Sequence, residues 1–434
     1  MKIFNPRGPS VCFLGLVLFL PLNSLAQPTI FMDSRALGMG GVGVASARPA
    51  AAVYVNPALL SLRQPKNQDK FGALLPSAYV MDRDGDDLRG AIDDFQGDYL
   101  DPFNEAIQAL RSSFGTSEET INKVRAASSA RRLNEKLQDI DGDNADGNAG
   151  VGVSLVRPSR TLGVGLFTSV AAQLVIEGQY RDRDLLQGII NDVGGYTSSA
   201  DIPYNPDIDT LESSVRGVGL ARSQVGLALS HNLRINGHDY AIGVTPKYVD
   251  LRVYDYSSTF DEYEFDDLKD EYDNDGSFNF DLGLASYIDN AQTVIAGISV
   301  VNVIPKDINT APTNGTGLTS ASNSIKVSLS PVLLAGLAYH DEGLTLATDL
   351  ELTKTSETFS EGDKQAWSMG LEYDAWPTVQ VRTGARVDLI NPDKQTLATA
   401  GLGVDILDSA LEVAAFTSVD LNTFGLSLQF GLSF

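Results

Sequence analysis

The sequence predicts an all-β protein: a 14-stranded antiparallel transmembrane β-barrel with an N-terminal hatch and a helical first outer loop. Three observations carry this reading. Segments of period-two alternation recur from residue 69 to residue 434. The connections between them switch regularly between short and long. The stretch FGLSLQFGLSF sets Phe424, Leu426, Leu428, Phe430, Leu432 and Phe434 on one face, against Gly425, Ser427, Gln429, Gly431 and Ser433 on the other. Such alternation builds a strand with one apolar and one small, polar face. A tilted strand crossing a bilayer needs about 9–11 residues.

The elements run in order along the chain. Lys2 and Arg7 precede the short apolar run VCFLGLVLFL, and Ser24-Leu25-Ala26 resembles a cleavage site, so residues 1–26 read as a secretory signal peptide. Residues 27–68 read as a hatch, small-residue-rich in its middle, and 69–434 as the barrel. Alternating strands are expected at 71–81, 149–157, 161–180, 217–233, 238–255, 277–289, 293–303, 325–340, 344–354, 365–374, 378–388, 396–406, 410–419 and 424–434. PSR (158–160), RING (234–237), NAQ (290–292), DEG (341–343), AWP (375–377) and LDS (407–409) are the short connections. In a bacterial outer-membrane barrel the short turns face the periplasm and the long loops face outward. Tyr240, Tyr287, Tyr339, Tyr373 and Trp376 lie beside the short turns, as an interfacial girdle would. The outer loop 82–148 carries three-to-four spacing through Leu88, Ile92 and Phe95, through Phe103, Ile107, Leu110 and Phe114, through Ile121 and Val124, and through Leu133, Leu137 and Ile140, which predicts helices packed on the barrel mouth or forming a lid.

Composition narrows the chemistry. The chain has 32 basic and 56 acidic side chains, a formal charge of −24, so general electrostatics exclude nucleic acid as a partner. Cys12 is the one cysteine and lies in the signal region, which leaves no disulfide or thiol chemistry in the mature chain. His231, His238 and His340 all sit beside short turns, away from any nucleophile constellation, so no enzyme is expected. Gly38, Gly40 and Gly43 match a G-x-G-x-x-G pattern, but Pro49 and Pro57 interrupt the segment after it, and no acid stands between Asp33 and Asp69. A nucleotide site needs a helix directly after the glycines and such an acid. Small residues that let a segment thread a narrow lumen explain the pattern better.

Two charge patterns remain open. Asp82, Asp84 and Asp86, then Asp139, Asp141 and Asp143, then Asp273 and Asp275, place carboxylates at alternate positions in outer loops. That spacing suits Ca2+, though no complete twelve-residue calcium loop is present; a solvated acidic rim is the other reading. Parity sends Glu177, Lys247, Lys326, Asp349, Glu351, Glu372, Arg382 and Arg386 into the barrel. They could form an internal salt-bridge ladder, or Arg382 and Arg386 could hold a ligand carboxylate. Gln429, on the lumen face, is expected to tolerate an arginine, unlike Leu428 on the lipid face.

The run ALGMGG followed by NPALL (Asn56–Leu60) resembles the N-terminal hatch of FadL-type outer-membrane hydrocarbon transporters and of related gliding-secretion barrels. The stretch FGALLPSAYVMDRDGDDLRGAIDDFQGDY further resembles the barrels labelled conjugal transfer protein TraF, as distinct from the thioredoxin-like TraF. The resemblance is specific over about 34–100 and architectural beyond. It implies a bacterial outer-membrane location and hatch residues Gly38, Gly40, Gly41, Asn56 and Pro57. It also implies outer-membrane lipid and lipopolysaccharide as surroundings, and barrel-assembly machinery that would read Phe434 as its signal. It further implies passive uptake of small hydrophobic ligands. The alternative is a non-transport barrel serving an envelope assembly such as conjugation or secretion.

Overall fold

The structure, a computed structural model, describes residues 33–62, 71–84, 87–260, 273–309, 313–314, 326–356, 363–390, 392 and 396–434. The signal-peptide region and Asp86 lie outside them. Fourteen strands form the wall: β1 (Gly72–Arg83), β2 (Asn144–Arg157), β3 (Gly163–Gln179), β4 (Ser214–Ile235), β5 (His238–Thr259), β6 (Asp273–Tyr287), β7 (Val294–Val301), β8 (Val332–Asp341), β9 (Leu344–Glu351), β10 (Ala366–Trp376), β11 (Val379–Asp388), β12 (Leu397–Ile406), β13 (Ser409–Ser418) and β14 (Thr423–Ser433). Each pairs antiparallel with its sequence neighbours, and β14 pairs with β1, so the sheet closes with no free edge. The seam is finished by Phe71 and Phe434, which exchange backbone hydrogen bonds at 2.7 and 2.9 Å and stack with ring centroids 5.7 Å apart.

Turn chemistry sets the two ends apart. Asn236-Gly237 and Glu342-Gly343 join their strands as two-residue turns with positive φ throughout, the geometry that matches strand twist. These turns share one end with 158–162 and 288–293, while 84–143, 180–213 and 302–331 connect strands at the other. Parity follows the sequence in β14, where Phe424, Leu426, Leu428 and Phe430 face out and Ser427 and Gln429 are buried.

Three departures are informative. The strand expected over 325–340 is split: Lys326–Leu329 pairs with Lys306–Asn309 in a separate ladder, and the wall resumes at Val332 after Pro331, whose missing N–H cannot serve a continuous ladder. Lys326 therefore belongs to a loop rather than to the wall. That ladder turns into the mouth, where Ile308, Val327 and Leu329 pack on the inward residues Leu220, Val249, Leu251 and Val253. Tyr287, expected in the girdle, has inward parity and packs on the hatch, whereas Tyr373 and Trp376 are exposed on the outside.

The first outer loop forms helices α3 (Leu88–Phe95), α4 (Asp101–Ser113) and α5 (Glu119–Ile140), after the short hatch helices α1 (Ser34–Gly38) and α2 (Pro49–Val55); α6 (Arg183–Asp192) joins from the next long loop. Phe95, Phe103, Ile107, Leu110, Leu133, Leu137 and Leu186 make a cap core against Ala145, Ile176, Val215 and Phe260 at the outer ends of β2–β5. Ile121 and Val124 do not join it: they are 63% and 65% exposed, and α5 instead buries Asn122, Ala126, Ser129 and Ala130.

Candidate functional site

The candidate site is the occluded lumen, built where the segment 33–62 meets the inward face of the wall. Small residues decide its shape. Gly40 has φ +75° and lies so near the wall that an added Cβ would stand 2.4 Å from the Ala385 carbonyl oxygen and 2.6 Å from that of Met369. The wall answers in kind: a Cβ at Gly370 would lie 2.3 Å from the Met39 carbonyl oxygen, and one at Gly297 2.5 Å from that of Val44. Backbone therefore packs on backbone, which only glycine on both sides allows. Gly38 approaches Gly401 in the same way, and Gly41 turns the chain at φ +88°.

The polar contacts are directional. The Asp349 carboxylate accepts from the backbone N–H of Gly43 at 2.6 Å and of Val44 at 2.9 Å. Thr399 accepts from the Gly40 N–H and donates to the Gly38 carbonyl. Asn56 is fully buried; its amide donates to the carbonyls of Val44 and Leu284 and its Oδ1 accepts from the Ala58 N–H, while Pro57 opens the 3-10 turn Pro57–Leu60. Gly243 and Gly283 give that turn room.

An ion-pair cluster links hatch to wall. Arg35 grips Glu372 through Nε at 2.8 Å and Nη2 at 3.0 Å, and its Nη1 donates to the Ser46 carbonyl. Arg382 donates to the same Glu372 at 2.6 Å and to Glu412 at 3.1 Å, and Arg48 reaches Glu412 at 2.7 Å. With buried Asp33 beside them, three guanidiniums face three carboxylates. Arg382 is thus engaged by two glutamates, and Arg386 by Glu351 at 2.7 Å. Both arginines form ion pairs of the kind an internal ladder would give, while Arg382 Nη1 is buried with no hydrogen-bond partner among the described residues.

Beyond the hatch, towards the long loops, lies a second buried layer. Lys247 stands 2.8 Å from Asp281, Gln224 donates to Ser169 at 2.9 Å, and Arg222 lies in the same strand face, 7% exposed. The loop ladder at 306–309 and 326–329 packs on Leu220 and Val249, inward residues of the same two strands as Arg222 and Lys247.

Sequence reasoning missed Arg35, Arg48, Glu412 and Arg222. A signal existed for the first three. The hatch carries arginines with no acid between Asp33 and Asp69, so their partners had to come from inward positions of the wall. Gln429 also departs from expectation: its Oε1 accepts from the Ser34 N–H at 2.9 Å and from Ser77 Oγ at 3.1 Å, so an arginine there would collide with hatch and seam.

The acidic loop residues are held singly. Asp82 pairs with Arg89, Asp84 accepts from the backbone N–H groups of Leu88 and Arg89 at the start of α3, Asp141 pairs with Arg183, and Asp275 pairs with Lys306. Asp139 is exposed on the last turn of α5, the Asp143 carbonyl accepts from the Gly178 N–H, and Asp273 opens β6. Among the described residues no three His, Cys, Asp or Glu side chains come together as a metal site.

A closed, antiparallel, hatch-occluded barrel of fourteen strands defines the architectural class. Within it, the family model described as F plasmid transfer operon, TraF, protein matches residues 53–351, and the chain belongs to that family. Among solved structures, a Pseudomonas aeruginosa FadL homologue aligns at 11% identity and TM-score 0.50, covering 95% of this chain and 99% of that one. The Pseudomonas putida toluene transporter TodX aligns at 12% identity and TM-score 0.44, covering 92% and 96%, and the CymD monoaromatic hydrocarbon channel at 9% and 0.40, covering 93% and 96%. The first of these likenesses supports the fold. No curated protein matches the sequence.

Proposed function

We propose that this protein is a bacterial outer-membrane channel for passive uptake of small hydrophobic compounds. One observation carries the reading. The lumen is shut by segment 33–62 through glycine contacts, hydrogen bonds and ion pairs, while every wall strand is already paired with its neighbours. The plug can therefore shift without breaking the barrel ladder. The exposed apolar residues Leu426, Leu428, Leu337 and Leu346 on the outside face suit lipid contact. The fold shared with the FadL homologue agrees with this reading.

A second reading, a barrel serving envelope assembly, draws on the family's plasmid-transfer description and on α5, which exposes Ile121 and Val124 beside Arg125, Arg131 and Arg132. Deleting residues 33–62 separates the two. Under the uptake reading, planar-bilayer conductance rises and selective uptake of a labelled monoaromatic probe is lost in cells. If conductance and uptake stay unchanged while replacing the exposed face of α5 abolishes plasmid transfer or secretion, the uptake reading fails.

A further inference from the structure

The outside of the wall carries a groove that uptake does not use. It is a shallow, open groove that runs from the start of β7 to β11, with a volume of about 580 Å³. Register defines it strand by strand. Ala338, Ala347, Gly370 and Gly384 sit directly opposite one another and form the floor. One rim is the row Leu337, Thr348, Met369 and Ala385; the other is Tyr339, Leu346, Leu371 and Thr383. The rims point outward, with Leu337 48% and Leu346 42% exposed.

Its chemistry is almost wholly apolar. The two threonine hydroxyls are already satisfied by the wall: Thr348 donates to the Ser368 carbonyl and accepts from Trp367 Nε1, and Thr383 donates to the Thr399 carbonyl. They offer methyl groups to an occupant. The lumen side of the floor is covered by Met39, whose carbonyl oxygen lies where a Gly370 side chain would be. The groove is a dead end facing the membrane, not a passage.

One end has a different character. Val294 and Tyr339 line the groove next to the short turns. The Tyr339 hydroxyl donates to Asp341 at 2.9 Å, and Glu342 and Asp289 bear on the same hydroxyl electrostatically. Asp341 and Glu342 are exposed. The turn holding Asp289 is tied to β8 by the His340 N–H, which donates to the Thr293 carbonyl. Hydrogen bonds from the Val294 and Thr293 N–H groups hold the Asp289 carboxyl below the usual carboxylate range, so it stays charged.

From the apolar trough and the carboxylates at its turn end, we infer that this groove binds one phospholipid with an ammonium headgroup, its acyl chain lying in the trough and its ammonium against Asp341 and Glu342. The inference rests on the outer-membrane reading above only in that the outside face must meet a bilayer; it needs no transport. It also explains why the rims keep small Ala385 and two threonines where lipid contact alone would accept bulk.

Native mass spectrometry of the detergent-extracted full chain tests it, with phosphatidylethanolamine and phosphatidylglycerol of identical chains as probes. The wild type is expected to retain one phosphatidylethanolamine several-fold more than phosphatidylglycerol. Ala385→Trp, which fills the trough from the lipid side and should fold, is expected to lose that retention. Val413→Trp, on the outside of β13, is expected to keep it. The pair Asp341→Asn and Glu342→Gln is expected to reduce the headgroup preference several-fold while leaving chain binding. Equal retention by Ala385→Trp and Val413→Trp, or equal retention of both lipids by the wild type, would overturn the site. A chain recovered folded from the aqueous fraction without detergent would instead remove the membrane reading itself.

Discussion

The hatch around Gly40 and the outer helical cap pack on the same wall by different means. The cap is an ordinary apolar core: Phe95, Phe103, Ile107 and Leu133 are buried against Ile176 and Phe260, with the Phe95 and Phe260 rings 4.6 Å apart. The hatch puts almost no bulk against the wall where Gly40 meets β10 and β11, and there Asp349, Thr399, Glu372 and Glu412 hold it, while Val53, Leu59 and Leu60 further along bury apolar surface against Val156, Phe167 and Ile295. Non-directional burial tolerates small shifts and resists removal. Directional contacts on a glycine surface define one seated position and lose most of their value once displaced. The difference suits a permanent cover at one end and a seated plug at the other.

The contrast can be broken most severely at its tightest contact. Gly370→Val would drive a branched side chain into the Met39 backbone, where 2.3 Å is available. The hatch should unseat while the wall still forms, giving a large rise in single-channel conductance with an unchanged heat-dependent mobility shift on gels. A closed channel in that variant would show that the hatch tolerates bulk and that the comparison is wrong.

Phe103→Ala should act on the cap alone. Removing a fully buried phenylalanine costs about 3–5 kcal/mol. Limited proteolysis should then cut within 84–143, with conductance at the wild-type level. Conductance rising as much as in Gly370→Val would mean that cap and hatch are one unit.

Glu372→Gln probes the ionic side. It leaves the Arg35 and Arg382 guanidiniums short of a shared carboxylate, and breaking a buried pair costs roughly 3–5 kcal/mol. Some of that is relieved by Glu412 and by water entering the lumen, so partial opening events in planar bilayers are expected, fewer than for Gly370→Val. Arg216→Met is the control and should stay closed, because its partner Asp255 lies on the neighbouring wall strand, away from the hatch. If the control opens as often, the cluster is not what seats the plug.

The smallest effect belongs to the loop acids. Asp82 and Arg89 form an exposed pair worth about 0–1 kcal/mol. Asp82→Asn should shift Tm by an amount near the limit of detection, and chelation of divalent cations should do no more. A chelator-sensitive Tm abolished by Asp82→Asn would restore the calcium reading of that loop.

Much of the fold was legible because alternation and turn chemistry are local. Leu428 and Gln429 declare opposite faces by adjacency, Asn236-Gly237 declares a tight turn, and Leu88, Ile92 and Phe95 declare a helical stripe. Local signals fail where a neighbour distant in sequence takes part. Nothing near Pro331 reveals that residues 326–329 leave the wall to pair with 306–309, and nothing near Ile121 reveals that its side chain stays exposed. Tyr287 resembles a girdle residue by its closeness to a turn, although counting parity from Leu282 and Leu284 turns it inward.

The candidate site divides in the same way. The sequence alone determined that a barrel of fourteen strands would enclose a small-residue segment, because period-two patterning and glycine content are properties of single stretches of chain. It also determined that Glu372, Arg382 and Arg386 would point inward. Only the tertiary structure decided that Arg35 closes on Glu372, Arg48 on Glu412 and Asp349 on the Gly43 and Val44 amides, the first two across 337 and 364 residues and Asp349 to Gly43 across 306. Those pairings depend on the register in which β14 meets β1 and on how deep the hatch sits once the ring has closed. Both are set by the whole closed sheet at once, so no local stretch of sequence encodes them.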